Sequence, residues 1–207
     1  MSVRMSAPAR REALIDTACG VFARSSYRGT TTKAIAAEVG VTEPILYRHF
    51  PSKRDLYLAC LDAAWARVQG LWGKALANEP DPRGWLQAMG VAYLTAKDKR
   101  ARLVDLWIQA LSEASDDPHI RRYLRRQVRE VHDYVEAVIT RSQQAGGVAP
   151  ERDPSAEAWV FISIGLLGTI DRRLSMLDGE LARIVAARRS WMTGAQAEHS
   201  PQPKTTP

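Results

Sequence analysis

The sequence predicts an all-α protein of about nine helices, and three observations support this fold class. Apolar residues recur at spacings of three and four along most of the chain, strand-like alternation is nearly absent, and short Gly, Pro, Ser and Thr breaks separate the periodic stretches. In the first stretch Leu14, Ile15, Ala18 and Phe22 share one apolar helical face. The expected helices span about 10–23, 32–39, 43–49, 52–77, 83–97, 100–114, 118–145, 154–175 and 179–193.

The second and third helices are short, and local residues predict their ends. Thr31 is a suitable N-cap because its hydroxyl oxygen can accept a backbone N–H, and Gly40 can adopt the left-handed conformation that ends a helix. Thr42 is the expected cap of the third helix. Pro44 is compatible with its first turn, where N–H groups have no intrahelical partner.

The fourth helix is predicted to be long. Ser52 and Asp55 resemble a capping box that places a negative charge at the positive end of this helix. Pro- and Gly-containing segments at 78–82, 146–154 and 178–179 separate later helices. Residues 1–9 are expected to form a flexible basic arm, and the polar, Pro-containing residues 194–207 a disordered tail.

Composition and charge favour a cytoplasmic protein whose N-terminal part binds a polyanion. The 207 residues are 45% hydrophobic and 25% charged, with a net charge of +6. Residues 1–55 carry nine Lys or Arg and five acids, which leaves +4 in this quarter of the chain. No apolar run is long enough for a membrane span, and no secretory signal is visible. Two cysteines, Cys19 and Cys60, lie in helical patterns and are expected to be small buried hydrophobes in a reducing compartment.

A helix-turn-helix is predicted between Thr31 and His49, because two short helices are joined by a tight Gly-containing turn. Its expected inward positions are all apolar: Ile35, Ala36, Val39, Val41, Leu46 and Phe50. The outward positions of the third helix mix apolar, aromatic and charged groups: Glu43, Pro44, Ile45, Tyr47 and Arg48. Such a surface suits base edges and phosphates better than solvent.

The run TTTKAIAAEVGVTEPILYRHFPSKRDLYLACL resembles the DNA-binding domain of the TetR family. It contains the Thr pair, I-A, G-V, L-Y-x-H-F and S-K followed by Leu that are typical of that family. With the first helix, the resemblance covers about residues 10–61. It implies a helix-turn-helix DNA-binding domain at 10–55 and a helical ligand-binding and dimerisation domain at 56–193.

The resemblance also implies roles for individual residues of the DNA-binding domain. Phosphate contacts are expected from Thr31, Tyr47, His49 and Lys53. Base contacts are expected from Lys33, Glu43, Pro44 and Ile45. Thr42 and Arg48 are expected at the edge of this base-contacting surface. Arg4, Arg10 and Arg11 form either a DNA-tracking arm or a solvated tail. Alternatives stay open: Tyr47 as a core ring, His49 as a helix cap, Lys53 as a solvated lysine, and Glu43 as a cytosine acceptor or a helix N-terminal charge.

The C-terminal region supplies candidate effector and dimer residues. Its aromatic and apolar side chains suit a largely apolar small-molecule effector, although each could equally fill a core. The candidate effector-binding residues are Trp65, Trp85, Met89, Trp107 and Tyr123. An apolar stretch at 159–168 resembles the family's dimer helices, with a monomer core helix as the alternative. The candidate dimer residues are Trp159, Phe161, Ile162, Gly165, Leu166 and Gly168.

These features predict a sequence-specific transcriptional regulator that binds double-stranded DNA as a homodimer. A ligand-released repressor on a palindromic operator is the main hypothesis, and an activator of the same fold is the alternative. No nucleophile elbow, phosphate loop or HExxH motif is present, so an enzyme is not expected. The four histidines and two cysteines show no metal-ligand spacing, and neither a cofactor nor a metal is predicted. The large Trp-rich region argues against a purely architectural DNA protein.

Overall fold

The computed structural model describes residues 6–96 and 101–194, with side chains from residue 106 in the second range. Within these ranges the chain forms nine α-helices and one 3-10 turn, and no strand, which confirms the predicted fold class. The helices are α1 (Ala7–Ser25), α2 (Thr32–Val39), α3 (Glu43–His49), α4 (Lys53–Ala77), α5 (Trp85–Leu94), α6 (Ala101–Glu113), α7 (Pro118–Gln144), α8 (Pro154–Leu174) and α9 (Glu180–Thr193). None of the described helices combines the length and apolarity needed to cross a membrane.

Helix α1 begins three residues before the predicted start, so residues 7–9 belong to the helix and not to a flexible arm. The Ser6 hydroxyl accepts the Ala9 backbone N–H at 3.4 Å, which caps the helix. Pro8 lies in the first turn, where a missing N–H costs nothing. Residues 1–5 of the predicted arm and 195–207 of the predicted tail lie outside the described residues.

The described residues divide into two compact units. The first comprises the chain up to Asn78 together with Met89–Val131, and the second comprises Glu79–Ala88 together with the chain from His132. In the first unit, Tyr57 of α4 is buried between Phe22 and Tyr27, with ring centroids 4.9 and 4.8 Å away. The buried apolar residues around them include Leu14, Ala18, Ile35, Leu46, Phe50, Leu61, Leu106 and Ile120. This core fixes α1 to α4 and to α6, and thereby positions the helix-turn-helix.

The second unit has its own buried residues on α7, α8 and α9. Val135 and Ile139 of α7 are buried, as are Ala158 of α8 and Met192 of α9. The buried carboxylate of Glu157 forms an ion pair with Arg188, which links α8 to α9. A buried carboxylate needs such a partner, because desolvation of an unpaired charge is costly.

Candidate nucleic-acid interface

The turn between α2 and α3 has the geometry that the sequence predicts. Gly40 adopts a left-handed conformation (φ 75°), and its backbone N–H bonds to the last turn of α2. The predicted inward residues Ile35, Ala36, Leu46 and Phe50 are buried, and Val39 and Val41 are partly buried against the same core. The packing of α2 against α1 and α3 therefore leaves the opposite side of α3 accessible.

The accessible side of α3 carries the predicted mixture of side chains. Pro44 and Arg48 are exposed, and the Tyr47 side chain is 46% exposed although it is a large aromatic residue. This exposure excludes Tyr47 as a core ring within the chain. Glu43, Ile45 and His49 are half-buried, because they lie where the outer face meets the core.

Hydrogen bonds between polar side chains connect α2 to α3 at this surface. The Thr32 hydroxyl donates a hydrogen bond to the Glu43 carboxylate, so its single hydrogen is used. The Tyr47 hydroxyl lies 3.3 Å from the Thr32 hydroxyl oxygen, and Tyr47 must therefore be the donor in that contact. Sequence analysis missed the role of Thr32, since its contacts with Glu43 and Tyr47 depend on the angle between the two helices.

Two threonines at the helix ends behave differently. The Thr31 hydroxyl oxygen accepts the Ala34 backbone N–H at 3.1 Å, as expected of an N-cap, and this contact does not use the hydroxyl hydrogen. Thr42 occupies the N-cap position of α3 but makes no capping hydrogen bond with its side chain. Both side chains are exposed, as is Lys33 on the first turn of α2.

Lys53 lies at the start of α4 and binds the turn between α1 and α2. Its ammonium group donates to the carbonyl oxygens of Tyr27 and Thr30, at 3.0 and 3.1 Å. The same nitrogen lies 4.4 Å from the centroid of the Tyr27 ring. An ammonium has three N–H donors, so one is left for a phosphate. Lys53 is therefore not a solvated lysine, and it helps to hold the helix-turn-helix against α4.

The α6–α7 turn also contacts the helix-turn-helix region, through residues that the sequence did not single out. Arg28, which precedes α2, pairs with Glu113 at 3.3 Å and with Asp116. Arg54 of α4 lies 3.5 Å from the Asp117 carboxylate. Within this first unit, these pairs give the α6–α7 turn a direct connection to the segments on either side of α2 and α3.

The Asp117 carboxylate is also the N-terminal cap of α7. It accepts the backbone N–H groups of His119 and Ile120, at 2.8 and 3.3 Å. Burial raises the pKa of Asp117, but these two hydrogen bonds and Arg54 lower it more, so the net pKa lies below the usual value. The charged form of Asp117 is thus favoured in the folded protein.

A buried polar network lies among the candidate effector residues of the first unit. The Trp107 indole N–H donates to the Gln127 side-chain oxygen at 2.8 Å, and the Gln127 amide donates to the Tyr123 hydroxyl at 2.8 Å. Tyr123 in turn donates to the carboxylate of Asp62 on α4. The structure thus brings Trp107 and Tyr123 together through Gln127, which sequence analysis missed.

The other candidate effector residues are distributed over both units. Met89 is buried and Trp65 is half-buried in the first unit. The rings of Trp65 and Trp72 meet edge to face with centroids 5.7 Å apart. Trp85 belongs to the second unit, where its indole N–H donates to the carbonyl oxygen of Glu79 at 3.0 Å.

The candidate dimer segment of α8 is only partly covered by its own chain. Of residues 159–167, none is buried, although seven of the nine are apolar or aromatic side chains. Gly168 is buried within the chain. Further exposed apolar side chains continue along α8 and into α9: Ile170, Leu174, Met176 and Trp191. An apolar surface of this extent is typical of an interface.

Together, the buried helix-turn-helix core and the accessible, partly aromatic face of α3 define a DNA-binding protein of the helix-turn-helix class. Comparison with known proteins refines this class. Residues 14–60 match the bacterial regulatory proteins of the tetR family, and residues 82–164 match the C-terminal domain of BetI-type transcriptional repressors. The chain belongs to the TetR family of transcriptional regulators.

Individual relatives agree with this assignment. Nucleoid occlusion factor SlmA of Marinobacter nauticus is 27% identical over 169 residues, which cover 80% of this chain and 84% of that protein. The transcriptional regulator BetI of Rhizobium meliloti is 26% identical over 56% of this chain and 58% of its own length. A regulator from Saccharomonospora viridis, solved with choline, has a TM-score of 0.70 at 21% identity and covers 85% of this chain and 93% of its own. AibR, solved with isovaleryl coenzyme A and operator DNA, has a TM-score of 0.64 at 19% identity, over 89% and 98% of the two chains.

Proposed function

We propose that this regulator is a homodimeric repressor that binds a palindromic operator and leaves it when a small-molecule effector binds. The observation that carries the proposal is the accessible face of α3, which is held in place by the Thr32–Glu43–Tyr47 contacts and by the core beneath Leu46. A helix presented this rigidly can enter a major groove without first being ordered, which lowers the entropic cost of binding.

The proposed contacts follow from what each side chain has to offer. Thr31, Tyr47, His49 and Lys53 contact phosphates, and Lys33, Thr42, Pro44, Ile45 and Arg48 lie at or near the bases. Glu43 accepts the Thr32 hydroxyl at the N-terminus of α3. This supports a positioning role for Glu43 rather than a base contact, because the carboxylate already has a partner and a favourable helix end.

The uncovered surface of α8 supports dimerisation. Trp159, Phe161, Ile162, Gly165 and Leu166 are exposed or half-buried in the single chain, and a second copy would remove them from water. Burial of apolar surface stabilises such an interface by about 25 cal/mol per Å². A dimer also places two α3 helices roughly 34–36 Å apart, the spacing of successive major grooves.

The buried network around Gln127 supports an effector site in the first unit. Hydrogen bonds join Trp107, Gln127, Tyr123 and Asp62, and a few polar groups beside aromatic side chains are typical of small-molecule sites. Trp65 and Met89 are further candidate residues of this site. Tyr123 of α7 is hydrogen-bonded to α4, and Lys53 at the start of α4 holds the turn that precedes α2. An effector that displaced Tyr123 would therefore act on the helix that supports the helix-turn-helix. Trp85, the fifth candidate effector residue, lies in the second unit and stays a prediction from the sequence.

Choline is the first effector to test, with an apolar acid thioester as the second. The choline-bound regulator from Saccharomonospora viridis supports the first, and the neighbouring indole rings of Trp65 and Trp72 are of the kind that attract a quaternary ammonium. AibR with isovaleryl coenzyme A supports the second.

An activator is the second candidate. The activator FasR of Mycolicibacterium smegmatis is 34% identical over 90 residues, 44% of this chain. In either case we propose a cytoplasmic regulator without catalytic activity.

Selection of bound fragments from genomic DNA tests the proposal. A dimeric repressor enriches an inverted repeat, and reporter expression from that promoter rises when the gene for this chain is deleted. Enrichment without a repeat, or a monomer by light scattering, would contradict the dimer. A fall in reporter expression would identify an activator.

A further inference from the structure

The imidazole of His132 has an unusual environment in α7. The side chain is 1% exposed, and its Nε2 atom lies 3.0 Å from the backbone carbonyl oxygen of Ser155 and 3.2 Å from the Ser155 hydroxyl oxygen. Its other nitrogen, Nδ1, lies 3.1 Å from a carboxylate oxygen of Asp133 and 3.6 Å from one of Glu136. Both ring nitrogens of this buried side chain therefore face oxygen atoms, and one of these, the Ser155 hydroxyl, can also donate.

The contacts of the ring allow two neutral tautomers. With a hydrogen on Nδ1, the ring donates to Asp133 and Nε2 accepts from the Ser155 hydroxyl; with a hydrogen on Nε2, the ring donates to the Ser155 carbonyl. The second tautomer leaves the Nδ1 lone pair facing the carboxylates of Asp133 and Glu136, and a cation between them would stabilise it.

We propose that His132, Asp133 and Glu136 bind a divalent transition-metal ion of the Zn²⁺ type. One ligand atom from each residue lies within 4.8 Å of the others, so small side-chain movements bring all three to one ion. An imidazole nitrogen with two carboxylate oxygens suits Zn²⁺ and its first-row neighbours, whereas Mg²⁺ and Ca²⁺ prefer oxygen ligands alone.

Two further features fit a metal site. In the Nε2–H tautomer, the hydrogen bond to the Ser155 carbonyl is the outer contact that usually orients a metal-bound histidine. The side chains of Asp133 and Glu136 are 62% and 39% exposed, which gives the ion a route from solvent and room for water ligands. The spacing of histidines and cysteines in the sequence gives no sign of this cluster, because two of its three members are carboxylates.

Metal binding at this site would act on α8. The ring of Trp159 packs on the His132 ring, with centroids 4.4 Å apart and an angle of 30° between the planes. The ion would fix the imidazole against the α8 backbone at Ser155 and against Trp159. The proposal itself does not depend on the effector or the operator.

Calorimetric titration of Zn²⁺ into the untagged, chelator-treated, full-length protein tests the site. We expect one ion per chain, with the affinity lowered about tenfold or more by Asp133→Asn and by Glu136→Gln. These partly exposed carboxylates can be replaced without opening the core, whereas His132 cannot. His119→Ala removes an exposed histidine from the start of the same helix and should leave the affinity unchanged.

Substitution of Co²⁺ gives a second measurement, because its visible absorption bands report nitrogen and oxygen ligation directly. The bands should appear with the wild type and be lost with Glu136→Gln. Absence of saturable Zn²⁺ binding would mean that hydrogen bonds alone hold the His132 ring, and the proposal would be wrong. Binding that both carboxylate variants retain, or that His119→Ala removes, would equally overturn it.

Discussion

The ammonium group of Lys53 donates a hydrogen bond to the backbone carbonyl oxygen of Tyr27 at 3.0 Å. This contact joins the start of α4 to the turn that precedes α2. Lys53 thus has two separable functions in our account: it orders the turn through two carbonyls, and it offers its third N–H to a phosphate.

Lys53→Ala should weaken binding to every DNA sequence and also lower the stability of the fold. Each lost phosphate contact reduces the slope of log K against log salt concentration by about 0.9. Loss of the carbonyl contacts should lower the free energy of unfolding by about 1–3 kcal/mol, measured by urea denaturation. Lys74→Ala, an exposed position in the last turn of α4, is the control. Weaker binding with an unchanged salt slope would show that Lys53 only orders the turn.

Tyr47 must exchange its partner in order to bind a phosphate. Its hydroxyl hydrogen is directed to Thr32, and a phosphate offers no hydrogen in return. Thr32→Val releases that hydrogen, so we expect equal or tighter DNA binding from Thr32→Val and weaker binding, by about 0.5–1.5 kcal/mol per chain, from Tyr47→Phe. Fluorescence anisotropy of both variants and of the double variant measures this. If Tyr47→Phe has no effect in either background, Tyr47 does not bind phosphate.

Ile45→Ala should change sequence preference more than general affinity. The side chain is half-buried at the edge of the accessible face of α3, where an apolar group can contact a thymine methyl. Loss of such a contact costs about 1–3 kcal/mol at one base pair and little on unrelated DNA. Binding to a set of single-base operator variants measures the change. A uniform loss across the set would rule out the base contact.

Asp117 should contribute stability that depends on pH. Its pKa is depressed in the folded protein, so its contribution is complete above its unfolded pKa, near 3.9, and is lost as the pH falls through the folded value. Asp117→Asn should therefore lower the free energy of unfolding by about 1 kcal/mol at pH 6, with the difference shrinking below pH ~4. Urea denaturation across this range, with Glu12→Gln at an exposed position of α1 as the control, measures it. A difference that does not change with pH would contradict the charged cap.

The sequence predicted the helix-turn-helix well because its signals are local. The inward spacing of Ile35, Leu46 and Phe50 and the left-handed Gly40 follow from helical periodicity and turn chemistry, and the structure confirms them. The start of α1 was predicted too late, because the Ser6 cap lies before the apolar pattern begins.

The contacts between elements could not be predicted in the same way. The Lys53 ammonium contacts carbonyl oxygens 23 and 26 residues away in the sequence, and His132 contacts one 23 residues away. These contacts form only when the whole fold is assembled. Likewise, the sequence identified Trp107 and Tyr123 as aromatic residues but gave no sign that Gln127 connects them. The roles assigned to individual DNA-contacting residues stay predictions.

The most direct test of the central claim is a fluorescence anisotropy titration of the purified protein against DNA from its own promoter region, at two salt concentrations, beside a scrambled sequence. We predict tight, salt-sensitive binding that prefers the promoter DNA. We also predict that Ile45→Ala changes this sequence preference. Equal and weak binding to promoter, scrambled and genome-selected DNA would contradict the assignment of the α3 face as a sequence-reading surface.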